Sequence, residues 1–300
     1  MEQFIIDFLH KVWGTFKDGK SPPIFPGPQP ISIERKHFPV LKNGNYRVCE
    51  KTDGVRHALV CTMYDGKKRA FLVNRSLQLT PVKLAFPKRA YDGTVIDGEL
   101  VDGNLFMVYD GMMLYGESIM SENLTERISK TDMFIKGIMK MKNDTLKIKI
   151  KTFFPTNNFS SFLTDYLPKL PYKTDGLVFT PVDEPIRVGT HETMFKWKPR
   201  NLNTIDFQVK KRCGADSWGL YIQDRGVLIF ESQLQGPEGG WLKEDNILEC
   251  QYMIDENPVW WKPVGIRTDK HHPNNRRTYY RTMVNVRENI QIEEFNKMFV

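Results

Sequence analysis

The sequence predicts an α+β protein of two domains, a larger one of antiparallel sheets with flanking helices and a smaller C-terminal β-barrel. Three observations carry this expectation. Asp-Gly pairs at 65–66, 92–93 and 102–103 punctuate a series of apolar-rich runs, as the turns of antiparallel hairpins do. Two stretches, about 121–142 and 158–168, change to helical spacing. After Pro199 the text consists of short strand-like runs. A length of 300 residues also suits two domains better than one core.

The elements follow in order. The opening MEQFIIDFLHKVW places Phe4, Ile5, Phe8, Leu9, Val12 and Trp13 on one helical stripe, which is expected to dock on the protein's own core. It lacks a basic n-region and a small-residue cleavage site, so it does not read as a signal peptide. Pro22, Pro23, Pro26, Pro28 and Pro30 forbid helix in the next segment, which should run extended. From Tyr46 to Gly116 the runs YRVCEK, HALVCTMY, RAFLVNR, GTVIDGEL and LFMVYD read as strands. In the second helical stretch Phe159, Phe162, Leu163, Tyr166 and Leu167 hold the i, i+3, i+4, i+7, i+8 pattern. Strands resume with GLVFTPV and TMFKWKP. Beyond Pro199, TIDFQVKKR, WGLYIQD, GVLIFESQ, ILECQYM and WWKPVGIR make four or five short strands, for which an OB-fold is the commonest architecture. A short helix, IEEFNKMF, closes the chain.

The net charge of +7 and pI near 9.1 favour polyanionic partners such as nucleotides or RNA. Cys49, Cys61, Cys213 and Cys250 form no CxxC pair and have no histidine at zinc-finger spacing, so they read as reduced thiols of an intracellular protein. No stretch reaches the roughly 18 apolar residues of a membrane span. The triplet Lys210–Lys211–Arg212 fits a solvated strand end better than a nuclear-localisation string.

KTDG occurs twice, in CEKTDGVR (49–56) and PYKTDGLV (171–178), with flanks too unlike for a repeat. Two walls of one site is the alternative. A lysine amine is nucleophilic only without its proton, so a nucleophilic lysine needs a setting that removes it. Lys51 sits between a strand and an Asp-Gly turn with Arg56 beyond it, a layout suited to an amine attacking phosphate, although a surface hairpin fits the residues too. At the second copy Asp175 is the functional candidate, a hard carboxylate able to hold Mg²⁺ or its water shell. In VIDGEL, Asp97 and Glu99 share one strand face, and in FKWKP Lys196 and Lys198 share another; either could equally face solvent.

Read in order, EKTDGVR, DGEL, LFMVYDG, TDGL, FKWKP and RTDKHHPN resemble the covalent nucleotidyltransferase superfamily of mRNA capping guanylyltransferases and ATP-dependent ligases. FPGPQPISIERKHF, NTIDF and NVRENIQIEE narrow this to capping enzymes, of the compact type of large DNA viruses and similar to the algal-virus enzyme. The resemblance implies a nucleotidyltransferase domain over 1–205, an OB domain over 206–289 that closes over it, and a final helix at 290–300 packing back on the first. It implies that Lys51 attacks the α-phosphate of GTP, forms lysine–GMP and expels pyrophosphate, and that GMP then passes to a 5′-diphosphate RNA end to give GpppRNA. By the same similarity Arg56 and Arg75 contact ribose, Glu99 binds ribose or metal, Tyr109 stacks on guanine and Lys151 reads O6. Asp175 supports a divalent metal, Mg²⁺ or Mn²⁺, with Glu99. Lys196 and Lys198 hold phosphate, and Arg267, Asp269 and Lys270 engage the β,γ-phosphates.

The competing reading is an ATP-dependent polynucleotide ligase using the same Lys51. A donor at Lys151 suits guanine O6, whereas adenine's amino group needs an acceptor. A decayed RNA-binding protein does not fit the intact Lys51, Glu99, Asp175 and Lys198. No HCxxxxxR loop or methyltransferase glycine motif occurs, which assigns the triphosphatase and methyltransferase steps to other chains. The compartment implied is a cytoplasmic virus factory or the nucleus, with no membrane.

Overall fold

The Asp65–Gly66 and Asp102–Gly103 pairs all take positive φ, at 51°, 66°, 50° and 73°, the turn geometry whose twist matches that of paired strands. Both close hairpins. Asp92–Gly93 does not: it ends a tight helical turn, Lys88–Asp92, so this expected hairpin is absent. The structure, a computed structural model, describes residues 1–212, 217–235, 240–268 and 270–299.

The strands before residue 200 are β1 (Pro28–Ser32), β2 (Tyr46–Thr52), β3 (Val55–Tyr64), β4 (Lys67–Asn74), β5 (Leu79–Pro81) and β6 (Thr94–Val101). They continue as β7 (Leu105–Leu114), β8 (Glu117–Ser118), β9 (Lys147–Ile150), β10 (Phe154–Pro155), β11 (Thr174–Pro181) and β12 (Gly189–Trp197). One sheet has the order β5-β4-β3-β6-β7-β8, with β9 added parallel to β7; the other is β1-β12-β11-β2-β10. Thus every run read as a strand between Tyr46 and Gly116 is one.

The helices before residue 200 include α1 (Glu2–Val12), α2 (Phe38–Asn43) and α3 (Leu124–Lys136). Strand alternation sends β3 side chains to two separate cores. Leu59 and Cys61 join Leu72, Ile96, Phe106 and Val108 beneath Phe134 of α3. Ala58 and Val60 join Phe71, Val73, Val95 and Met112 beneath Ile5 and Leu9 of helix α1 (Glu2–Val12), with Trp13 just past its end. The N-terminal stripe therefore docks on the protein's own sheet. Asn123 caps α3, accepting from the Glu126 N–H, and the helix ends at Gly137, short of the expected 142. The 158–168 pattern is helical but irregular, passing from 3-10 through α to π turns over residues 156–169. Phe162 packs there against Phe154, Phe159 and Tyr166, and Phe154 also touches Tyr166.

By contact the chain forms two units, one of Met1–Ile31, Pro39–Lys196 and Met298–Val300, the other of Ser32–Phe38 and Trp197–Lys297. The second contains β13 (Thr204–Lys211), β14 (Ser217–Asp224), β15 (Val227–Gln235), β16 (Ile247–Met253) and β17 (Trp260–Ile266), all antiparallel in the order β15-β14-β13-β16-β17. These are the five strands expected of an OB-type domain. Among the described residues their pairings form a sheet without closing into a ring.

Ile205, Phe207, Val209, Leu220, Ile222, Leu248 and Trp261 build its core with Tyr279 and Met283 from a helix at Arg276–Glu288. That 13-residue helix, capped by Asn275, was not expected from the sequence. Only Tyr279, Met283 and Val286 of it are buried, too sparse an apolar stripe to stand out among its polar residues. The expected closing helix comes next, at Ile292–Phe299. Among the described residues no helix is long and apolar enough to cross a membrane.

Candidate active site

The two KTDG runs lie on neighbouring antiparallel strands. Thr52 of β2 faces Thr174 of β11, and Lys51 faces Gly176, so Asp175 is an extra residue in the ladder, a β-bulge. The bulge aims its carboxylate at Lys51, whose Nζ lies 2.8 and 3.0 Å from the two oxygens. Beyond the bulge the Asp53 N–H donates to the Lys173 carbonyl at 3.2 Å. The unlike flanks also meet: Tyr172 donates its hydroxyl to Glu50 at 3.0 Å. The two copies are two walls of one place.

Glu50 points away from Lys51 on the strand and is fully buried. Around it lie the Tyr166 hydroxyl at 3.5 Å and the Lys151 ammonium at 3.8 Å, while Lys151 Nζ donates to the Glu50 carbonyl at 2.8 Å. Burial, then the Glu50 charge, pushes the Tyr172 and Tyr166 hydroxyls above their ordinary range. Lys151 is itself buried, with its Nζ 5.9 Å from the centre of the Tyr109 ring.

The other sheet contributes Arg56 from β3 and Asp97, Glu99 and Tyr109 from β6 and β7. Asp97, fully buried, accepts both Nε and Nη2 of Arg56 and the Tyr109 hydroxyl at 3.0 Å. Burial favours a neutral Arg56, but the Asp97 charge and hydrogen bonds, with Tyr109 and Glu99 beside them, together outweigh it and hold the guanidinium protonated. Arg56 Nη1 also donates to the Pro28 carbonyl at 2.8 Å, and its guanidinium lies 5.1 Å from the Phe25 ring centre. Tyr109 is the extra residue of a second bulge, between Val108 opposite Gly98 and Asp110 opposite Asp97. Gly98 is required between the two carboxylates, since a Cβ there would lie 2.7 Å from the Met107 carbonyl. On the far face Asp110 pairs with Arg127 of α3 at 2.8 Å, which anchors that bulge from behind.

Glu99 is where the cations converge. Burial raises its carboxyl above the ordinary value, and the charges of Lys51, Lys151, Arg75 and Arg56 pull against that without cancelling it. Arg75 itself is exposed just past β4. The raised value has two consequences of opposite sign. For stability, a carboxyl raised by burial favours the folded state below its unfolded value near 4.3, and this contribution is lost as pH rises through the folded value. For any activity needing the carboxylate, the acid limb moves upward. A pH profile of covalent nucleotide labelling should therefore fall away above the usual carboxylate range, whereas Glu99→Gln protein should show low activity and no such limb. A parent limb at or below pH 4 would contradict this.

Lys196 lies near the end of β12 in the first unit, and Lys198 just past it in the second. Phe195 and Trp197 alternate with them and are buried, so the two lysines share the less buried face, as expected. In the second unit Asp206, in NTIDF, takes both Arg267, at 3.2 Å, and Lys270. Asp269 lies outside the described residues. The sequence reading names Asp97 only as sharing a strand face with Glu99, and it does not single out Asp206 or Glu50. Their only signal was a carboxylate within an apolar strand run, the place where an unpaired charge is costly.

The carboxylates at hand are Glu99 and Asp175, and among the described residues no group of three or more His, Cys, Asp or Glu side chains is placed to hold a metal. That set fits a hard cation which takes one or two carboxylates and completes its shell with water and substrate phosphates.

The family model for the mRNA capping enzyme catalytic domain matches residues 5–200, and that for the mRNA capping enzyme C-terminal domain matches 216–296. The mRNA-capping enzyme subunit alpha of Schizosaccharomyces pombe is 28% identical over 93% of this chain and 81% of its own length. The mRNA-capping enzyme of Caenorhabditis elegans is 29% identical over 91% of this chain, which spans about half (49%) of that relative. Among solved structures, a mycobacterial DNA ligase D complexed with ATP and MES aligns over 81% of this chain and 94% of its own, at 13% identity and a TM-score of 0.45, too weak a likeness to bear on the choice between capping and ligation. With both capping-enzyme domains matched in order around the Lys51–Asp175 pair, the chain belongs to the mRNA capping enzyme family.

Proposed function

We propose that the chain is an mRNA guanylyltransferase in which Lys51 carries GMP. The observation that carries this reading is the contact of Lys51 Nζ with the bulged Asp175 at 2.8 Å, near Glu99, on whose carboxyl the charges of Lys51, Lys151, Arg75 and Arg56 act. In the first step the Lys51 amine, its proton given up, attacks the α-phosphorus of GTP. An N–P bond forms, the bond to the bridging oxygen breaks, and pyrophosphate leaves. In the second, the terminal phosphate oxygen of a 5′-diphosphate RNA attacks the same phosphorus, the N–P bond breaks, Lys51 regains a proton and GpppRNA is released.

Asp175 touches the Lys51 ammonium directly and is the nearest group to receive its proton. Tyr109, held by Asp97, offers the purine a ring to stack on, and Lys151 offers a buried donor for guanine O6 beside it. Arg56 and Arg75 serve the ribose; Lys196 and Lys198 serve the α-phosphate. A divalent ion, Mg²⁺ or Mn²⁺, held by Asp175 and Glu99 would supply charge neutralisation on the phosphates. GTP and RNA are the substrates.

Incubation with α-labelled GTP or ATP and a divalent metal tests this reading. GTP should leave an acid-labile, alkali-stable label and ATP should not; labelling by ATP alone would establish the ligase alternative. Arg267 and Lys270, as ligands of the β,γ-phosphates, should matter only while pyrophosphate is attached. Arg267→Ala and Lys270→Ala should block adduct formation yet leave transfer from preloaded enzyme largely intact. Loss of that transfer after Arg267→Ala would overturn the assignment.

A further inference from the structure

The outer face of β14 and β15 carries an aromatic and cationic patch that the nucleotide chemistry does not use. On β14, Leu220 and Ile222 face the core, which turns Tyr221 outward. Tyr221 lies opposite Phe230 of β15, with ring centroids 5.7 Å apart in an edge-to-face arrangement. Phe230 is 44% exposed, unusual for a phenylalanine in a sheet. The Arg212 guanidinium lies over it, 4.4 Å from the ring centre, and Arg212 is exposed.

A bulge explains why the patch lacks negative charge on its own strand. Leu220 faces Ser232 and Tyr221 faces Phe230, so Glu231 is the extra residue of β15. Its carboxylate accepts the Tyr279 hydroxyl from the core-packed helix, away from the outer face. The other acids nearby are engaged: Asp245 by Gln208 at 2.7 Å and Lys210 at 3.9 Å, and Asp224 by Arg276 at 3.1 Å. What remains outward is a ring, an edge partner and the Arg212 guanidinium. This combination stacks a base and holds its phosphate, without sequence preference.

Position supplies the second argument. Gln208 of β13 faces Tyr221, and Asp206, two residues earlier, shares its strand face. Two residues of strand span roughly 7 Å and two strand spacings roughly 10 Å, which places Phe230 on the order of 12 Å from the Asp206 that holds Arg267 and Lys270. We propose that Phe230, Tyr221 and Arg212 form a stacking platform for single-stranded RNA just downstream of the 5′ end being capped. This rests on the guanylyltransferase reading for the source of the RNA.

The full-length chain, Phe230→Ala, Arg212→Ala and the double variant would be preloaded with GMP. Transfer would then be followed to 5′-diphosphate RNAs of two and of twelve nucleotides, alongside ultraviolet crosslinking to the longer RNA. Adduct formation from GTP and transfer to the dinucleotide should be unchanged. For the twelve-nucleotide acceptor KM should rise roughly tenfold or more, with kcat little altered, and crosslinking should fall in step. An unchanged KM for the longer RNA overturns the platform, as does loss of binding only to an acidic phosphopeptide probe. A parent protein that makes no adduct but crosslinks RNA through Phe230 would refute the capping reading and keep the platform.

Discussion

Lys51→Ala protein incubated with α-labelled GTP and Mg²⁺ is expected to retain no covalent label, while Lys173→Ala protein retains most of it. The repeated letters hide different settings. Lys51 is partly buried against Asp175, while the Lys173 side chain is exposed and its run contributes backbone and the bulge. Losing the only covalent acceptor removes the reaction outright, a drop limited by detection. The fold should survive, because Lys51 and Asp175 keep side-chain exposures of 25% and 15%, and water can replace the lost partner. Gel electrophoresis after acid and alkali treatment reads the label, and far-ultraviolet circular dichroism checks the fold. Equal labelling of the Lys51→Ala protein would mean that another lysine is the nucleophile.

Asp97→Ala is expected to damage both stability and activity. The carboxylate is fully buried, and its removal leaves the Arg56 guanidinium charged in a place that is only 7% exposed. Removing one member of a buried pair costs about 3–5 kcal/mol, because the charge left behind has no replacement solvent. Tyr109 loses its anchor in the same stroke, so guanine stacking should loosen too. Denaturant midpoints should fall by an amount of that order, and GTP labelling should fall even below the denaturation range. Replacing Arg56 and Asp97 together by apolar residues should restore much of the stability and none of the labelling. An Asp97→Ala protein as stable as the parent would show that the pair is not what holds these strands together.

Much of the fold could be read because apolar runs bounded by turn residues advertise strands covered on both faces. YRVCEK, HALVCTMY and VIDGEL are buried along most of their length, and Asp-Gly marks the hairpins that join β3 to β4 and β6 to β7. Asp92–Gly93 has the same letters and is not a hairpin, since a turn dipeptide marks a bend and leaves the next element open. The Arg276–Glu288 helix was missed because three buried residues make a faint stripe. For the candidate site, the ordered motifs pointed to Lys51, Asp175, Glu99 and Tyr109, which the fold places on facing strands or neighbouring ones. The motifs did not point to their supports. Glu50 and Asp206 act through Lys151 and Lys270, 101 and 64 residues away along the chain, and which side chains meet across that distance depends on how the strands pair. Register is what local periodicity leaves open.

The bulge at Asp175 sets two demands on β11 against each other. A ladder running without interruption from Thr174 would pair more regularly, and deletion of one residue there would supply it. The repaired strand would lack its carboxylate opposite Lys51 and keep Leu177 and Phe179 buried as before. Such a protein would be a better sheet and a worse enzyme. Screening for thermal tolerance at this turn would thus select against catalysis, and stabilising changes are better sought on the outer strands of the same sheet.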